Sequence, residues 1–125
     1  MNSYPMILMD FLDYLETIKG RSSNTVKEYA YDINLMIKYI IARKQNIKLK
    51  SFDDIVKIDS SDVDLNFFKN IDVIDLHSFM GFLDHNRSNG SSTRSRKTSS
   101  IRTFYKYLIN IRKLDIKVLY VIDVV

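Results

Sequence analysis

Four stretches of this chain repeat apolar residues three and four positions apart, a spacing that belongs to one face of an α-helix and not to a strand. Leu8, Phe11, Leu12, Leu15 and Ile18 form the first stripe. Val26, Tyr29, Ala30, Ile33, Ile37, Ile40 and Ile41 form the second. Leu76, Phe79, Met80 and Leu83 form the third, and Ile101, Phe104, Tyr105 and Leu108 the fourth. Turn formers are scarce: the 125 residues include three Gly and one Pro. A sandwich or barrel needs a tight turn about every ten residues, so these numbers disfavour both. The chain is long enough for one core and is read as a single all-α domain.

Punctuation residues mark the helix ends. Pro5 suits a first helical turn, where its missing N–H is no loss, and Gly20 is placed to end the first helix near Lys19. The second helix has two candidate starts, the Ser22–Ser23 pair or the capping-box spacing of Thr25 and Glu28. The short link around Gly20 makes these two helices a hairpin. Residues 43–70 are the least periodic part. They read as a connection packed by Phe52, Ile55, Leu65 and Phe68, with short helical turns at Phe52–Val56 and Leu65–Lys69. Asp72 is the expected N-cap of the third long helix, which runs to about Asn86. The fourth begins after Ser91 or Ser92 and reaches about Ile111. No apolar residue lies between Asn86 and Ile101, so the first turns of that helix are expected near the surface. The β-branched tail from Lys117 to Val125 reads as extended.

The net charge of +4 is unevenly placed. Between Asp84 and Asp115 there is no acidic residue, and Arg87, Arg94, Arg96, Lys97, Arg102, Lys106, Arg112 and Lys113 bring that stretch to +8. The remainder carries −4. A domain with one basic side is what attraction to a phosphate backbone requires. On the fourth helix, Ser92, Ser95, Arg96, Ser99, Arg102, Thr103 and Lys106 fall opposite the apolar stripe. Hydroxyls, Arg and Lys are the groups that contact phosphates, and Arg also pairs with guanine edges. The same residues would suit a solvated face, although such faces usually mix signs. The second helix has a weaker polar face of Asn24, Lys27, Tyr31, Asn34 and Lys38, which also suits an ordinary solvated surface.

Two motifs sharpen this reading. The first is Ser22-Ser-Asn-Thr-Val-Lys-Glu-Tyr-Ala-Tyr-Asp-Ile33, and the second is Thr93-Arg-Ser-Arg-Lys-Thr-Ser-Ser-Ile-Arg-Thr-Phe-Tyr-Lys-Tyr-Leu108. In this order, after the opening helix with Phe11-Leu-Asp-Tyr-Leu15, the chain resembles the N-terminal core-binding domain of tyrosine recombinases of the phage-integrase and Xer type. The likeness runs from about residue 6 to 114. It implies an all-α, four-helix orthogonal bundle of two crossed helical hairpins, SAM-like in type, spanning residues 1–114. Residues 115–125 would then be a tail or the start of a linker to a catalytic domain.

The resemblance also implies half of a clamp around double-stranded DNA, with the second and fourth helices toward the major groove. The implied contacts are Ser22, Asn24, Thr25, Lys27 and Tyr31 on one helix. On the other they are Ser92, Thr93, Arg94, Arg96, Lys97, Ser99, Arg102 and Lys106. Other recombinase protomers on the same DNA are the implied partners. The family's catalytic Arg, Lys, His and nucleophilic Tyr lie in a domain beyond this sequence, so no catalytic residue is assigned and the chain is not expected to be an enzyme by itself. Thr98 stands where the family often has an aliphatic residue. Asp115-Ile-Lys117 stands where the family usually has Asn-Pro.

Other chemistries find little support. There is no Cys, which excludes disulfides and thiolate zinc sites and suits a reducing cytoplasm. His77 and His85 are too far apart for a metal pair on one helix face. Asp53, Asp54, Asp59, Asp62 and Asp64 lack calcium-loop spacing and suit turns and caps. No apolar run reaches the ~18 residues of a membrane span, and the N-terminus does not read as a signal peptide. No cofactor, metal, membrane or small-molecule substrate is therefore expected. A different class of function, a helical protein-interaction module docking through its apolar tail 118–125, stays open on sequence grounds.

Overall fold

The computed structural model describes residues 4–86 and 91–114; the side chains of residue 86 and of residues 91–94 are outside that description, as is the tail 115–125. Six helices make up the described part: α1 (Met6–Thr17), α2 (Ser23–Lys44), α3 (Phe52–Val56), α4 (Leu65–Lys69), α5 (Val73–Asn86) and α6 (Ser91–Asn110). The four long helices match the four apolar stripes, and α3 and α4 fall on the two short turns read in the connecting segment. No strand occurs among the described residues. The all-helical fold class holds.

Each long helix is begun or ended by identifiable side-chain and backbone chemistry. Ser22, the first of the two candidate caps, starts α2: its hydroxyl accepts from the Thr25 amide at 3.2 Å. At α5, Asp72 and Asp75 cap each other's backbone, with Asp75 N to Asp72 Oδ1 at 2.8 Å and Asp72 N to Asp75 Oδ2 at 3.1 Å. Three helix ends share one device: a residue in the left-handed region lets the next amide fold back onto the last turn. Gly20 (φ 64°) turns the Arg21 amide onto Leu15 O at 2.9 Å, Asn46 (φ 57°) turns Ile47 onto Ala42 O at 2.9 Å, and Lys113 (φ 58°) turns Leu114 onto Leu108 O at 2.9 Å.

The helices enclose α2, which packs against α1, α3, α5 and α6. Ala30, Ile33, Met36, Ile37 and Ile40 of α2 are buried, as are Leu8, Phe11 and Leu15 of α1, Leu76, Phe79 and Leu83 of α5, and Ile101, Phe104 and Leu108 of α6. Phe104 is the junction, with the rings of Phe11 and Phe68 each 5.0 Å from it in edge-on contact. Such aromatic pairs add directional packing to the area they bury.

Two sequence expectations change. Asn34 and Lys38 were placed on the solvent face of α2, but both are buried. The segment carrying α3 crosses that side of α2. Its Ser60 hydroxyl donates to Asn34 Oδ1 at 2.7 Å, and Lys38 Nζ donates to Val56 O at 3.1 Å. The early part of α6 was expected near the surface, but Lys97, Thr98 and Ser100 are buried. A carboxylate of α2 holds Lys97 and Ser100 there.

Candidate nucleic-acid interface

That carboxylate is Asp32, which is 1% exposed. One turn of α6 delivers three side chains to it. Arg96 donates from Nε to Oδ2 at 3.2 Å and from Nη2 to Oδ1 at 2.8 Å; Lys97 Nζ reaches Oδ1 at 2.8 Å; and Ser100 Oγ donates to Oδ2 at 2.9 Å. Two hydrogen bonds on each oxygen satisfy the acceptor capacity of the carboxylate, which is the condition for burying a charge. The Lys97 ammonium also lies 4.9 Å from the centre of the Tyr31 ring, a cation–π contact that covers its remaining side.

Arg96 is the hinge between inside and outside. It is partly exposed, holds Asp32 with one edge of its guanidinium, and approaches Glu28 Oε2 at 3.7 Å. Hydrogen bonding to Asp32 is the main influence that holds its guanidinium still more firmly protonated than usual, against some burial. At the other end of α6, the Arg112 guanidinium donates to Asp10 of α1 at 3.1 Å.

These ties set the course of α6 along α2. Asp32 and Glu28 stand opposite Arg96 to Ser100. Arg21, before the start of α2, shares a cleft with Thr103 and Lys106. Contacts between α2 and α6 thus join residues 28–32 to residues 96–100, and the turn before α2 lies near residues 103–106. Asn24, Lys27 and Tyr31 are exposed on α2, and Ser99 and Lys106 on α6, with Arg102 and Thr103 half-buried. The two polar faces meet as one surface. Its only carboxylate among these positions is Glu28, which sits beside Arg96.

The residues implied as DNA contacts thus divide. Asn24, Lys27, Tyr31, Arg96, Ser99, Arg102 and Lys106 share the joined surface. Ser22 and Thr25 lie at its edge, and their hydroxyls are 3.0 Å apart in the α2 cap. Lys97 is placed inside: at 1% exposure its ammonium is committed to Asp32, so it supports the surface from beneath. Ser92, Thr93 and Arg94 lie in the first turn of α6, and their side chains are outside the described residues. The residue that sequence reasoning passed over is Asp32 itself, quoted as part of a motif and given no role. Its signal was its place at helical spacing between Tyr29 and Met36 on the buried side of α2.

Among the described residues no cluster of His, Asp or Glu could hold a metal ion. No helix among them is long and apolar enough to cross a membrane. His77 and His85 are exposed on α5.

Residues 8–60, from α1 past α3, match the model of the phage integrase N-terminal SAM-like domain. Tyrosine recombinase XerC of Caldanaerobacter subterraneus subsp. tengcongensis is 42% identical over 107 residues, covering 84% of this chain and 29% of that protein. Tyrosine recombinase XerD of Listeria monocytogenes is 27% identical over 111 residues, 87% of this chain and 30% of that protein. Tyrosine recombinase XerC of Leptospira interrogans is 27% identical over 99 residues, 79% and 25% respectively. No solved structure matches. The chain spans less than a third of the length of these relatives. The match to the first relative is long enough to take in α2 and most of α6 wherever it begins, so both helices of the joined surface fall within it. A domain match over residues 8–60 and 42% identity to a tyrosine recombinase over most of the chain place it in the family of phage integrase N-terminal SAM-like domains, the kind carried by tyrosine recombinases.

Proposed function

We propose that this chain is the core-binding domain of a site-specific tyrosine recombinase, and that it grips duplex DNA with the joined face of α2 and α6. Residues 1–114 are the binding unit in this reading, and residues 115–125 lead toward a catalytic domain. Strand cleavage and joining belong to that domain and to residues outside these 125. The chain contributes affinity and orientation, works in the cytoplasm, and meets other protomers on the same DNA.

The observation that carries the reading is the seating of α6 on α2 through Asp32, with Glu28 beside Arg96. Asn24 and Lys27 are exposed on α2 and Ser99 and Lys106 on α6, and in this reading they form one strip with Arg102 in which Glu28 is the one exposed carboxylate. Cations with hydroxyls and amides between them match a duplex backbone, where phosphates recur every few ångströms and neutral donors fill the gaps between charged contacts. Tyr31, beside Arg96, adds an aromatic edge to the same strip.

The test is binding of a fluorescent duplex by anisotropy across a salt series. Affinity should fall steeply between about 50 and 200 mM salt. Lys27→Glu with Arg102→Glu should lower it by roughly tenfold or more and flatten the salt dependence, since charge-inverted residues no longer displace counterions. A parent chain that fails to bind at low salt, or a double variant that binds as the parent does, contradicts the proposal. Lys97→Glu is unsuitable here, because it would set two carboxylates together in the core.

A further inference from the structure

The joined surface does not stop at Lys106. Past it, the turn between α1 and α2 closes against the last turns of α6 and leaves a cleft of about 340 Å³ lined by Tyr14, Lys19, Arg21, Thr103, Lys106 and Asn110, among others. That is near the lower end of volumes that hold small ligands, roughly 300 Å³ and above. Its chemistry is one-sided. Three cations, Lys19, Arg21 and Lys106, line it together with Thr103, two tyrosines and the Asn110 carboxamide, and no carboxylate is among the lining residues. Lys19 leans over the Tyr14 ring with its ammonium 6.0 Å from the ring centre. Among the described residues none of the three cations has an ion-pair partner, whereas Arg96 of α6 pairs with Glu28 and Asp32, and Arg112, just past α6, pairs with Asp10.

The cleft lies between the C-terminal ends of α1 and α6, where free carbonyls would repel an anion. At α1 that repulsion is blunted. The Arg21 amide donates to Leu15 O at 2.9 Å and the Lys19 amide to Tyr14 O at 3.1 Å, which spends those carbonyls internally. Gly20, at φ 64°, makes this turn and sets Lys19 and Arg21 on either side of it.

We infer that this cleft seats a phosphodiester of the duplex, held by Lys19, Arg21 and Lys106 at the end of the α2–α6 strip. The inference rests on the DNA-binding reading above and adds Lys19 and Arg21, which precede the first motif, to Lys106, which the second contains. Arg96 and Lys106 are ten residues apart, about 15 Å along a helix axis. That exceeds the major-groove width of about 12 Å. The cleft can therefore hold one backbone while the Arg96 end of α6 reaches the groove or the opposite strand.

The test compares Lys19→Gln with Arg21→Gln against Lys48→Gln, an exposed cation outside the strip and the cleft. Duplex binding is read by anisotropy over a salt series, and thermal melting checks that each variant folds. Neutralising the cleft should cost several-fold in affinity and reduce the slope of log K against log salt by about one, the signature of one lost phosphate contact. Lys48→Gln should leave both unchanged. A parallel titration with inorganic phosphate, followed by backbone amide shifts of Arg21 and Thr103, separates the sources of the ligand. Saturable phosphate binding with duplex affinity unaltered in the double variant would overturn the phosphodiester and assign the cleft to a free phosphate ligand. Parent-like affinity and slope with no phosphate shifts would overturn the cleft as a site and leave the α2–α6 interface standing. A parent that binds no duplex would remove both.

Discussion

Asp32 and Lys97 show how one ion pair can hold the two helices of an interface together. Both are almost fully buried, and breaking such a pair by removing one partner leaves the other charge stranded. Lys97→Met should therefore destabilise the domain by about 3 kcal/mol, at the lower end for buried pairs because Arg96 and Ser100 still hold Asp32. Adding Asp32→Asn to it should cost less than the sum of the two single changes, the coupling expected of direct partners. Urea unfolding of the four proteins measures this, and additive losses would show that the pair is not coupled. The sequence contained the clue. Lys97 continues the stripe of Ile101, Phe104 and Leu108 toward the N-terminus, and Asp32 occupies a core position on α2. Reading charge as surface hid it, because a cation on an apolar stripe is interpretable only when its opposite number on another helix is known.

At the scale of elements, capping chemistry was legible and burial of polar faces was not. Ser22, Asp72 and Gly20 act where the sequence placed them, because a cap is a local contact among a few neighbouring residues. Asn34 and Lys38 needed knowledge of which segment crosses α2, which no local pattern supplies. Gly20 offers a clean test. A methyl group added there would meet nothing within 4 Å, so Gly20→Ala exposes the backbone cost alone, about 1 kcal/mol by thermal or urea unfolding. A second test concerns the join between α2 and α5. Burial of Asp75 opposes its ionisation, but the Asp72 amide and the side chains of Arg43 and Lys44 outweigh it and hold the carboxyl below its ordinary value of 3.8. Arg43 Nε lies 2.9 Å from it and Lys44 Nζ 3.3 Å. A carboxyl with a lowered folded pKa stabilises the fold above its unfolded pKa, and that contribution is lost as pH falls through the folded value. The stability gap between parent and Asp75→Asn should therefore be widest near neutral pH and close below about pH 4. A gap that is constant with pH would assign the loss to packing instead.

For the whole molecule, the fold class and the four long helices were readable from the apolar stripes, and the family from the motifs. The relative placement of the helices was not. The likeness to recombinase domains points to α2 and α6 as a pair, but the seating that brings their polar faces together depends on Asp32 and Arg96 meeting across the bundle. The central claim is that this merged face is where duplex DNA lies. The most direct measurement is a titration of the isotopically labelled chain with a short duplex at low salt, followed by backbone amide shifts. Shifts should concentrate at Asn24, Lys27, Tyr31, Ser99, Arg102 and Lys106, with Lys48, Lys57 and His77 unmoved. Shifts centred on α3 and α5, with the α2–α6 strip silent, would contradict the claim.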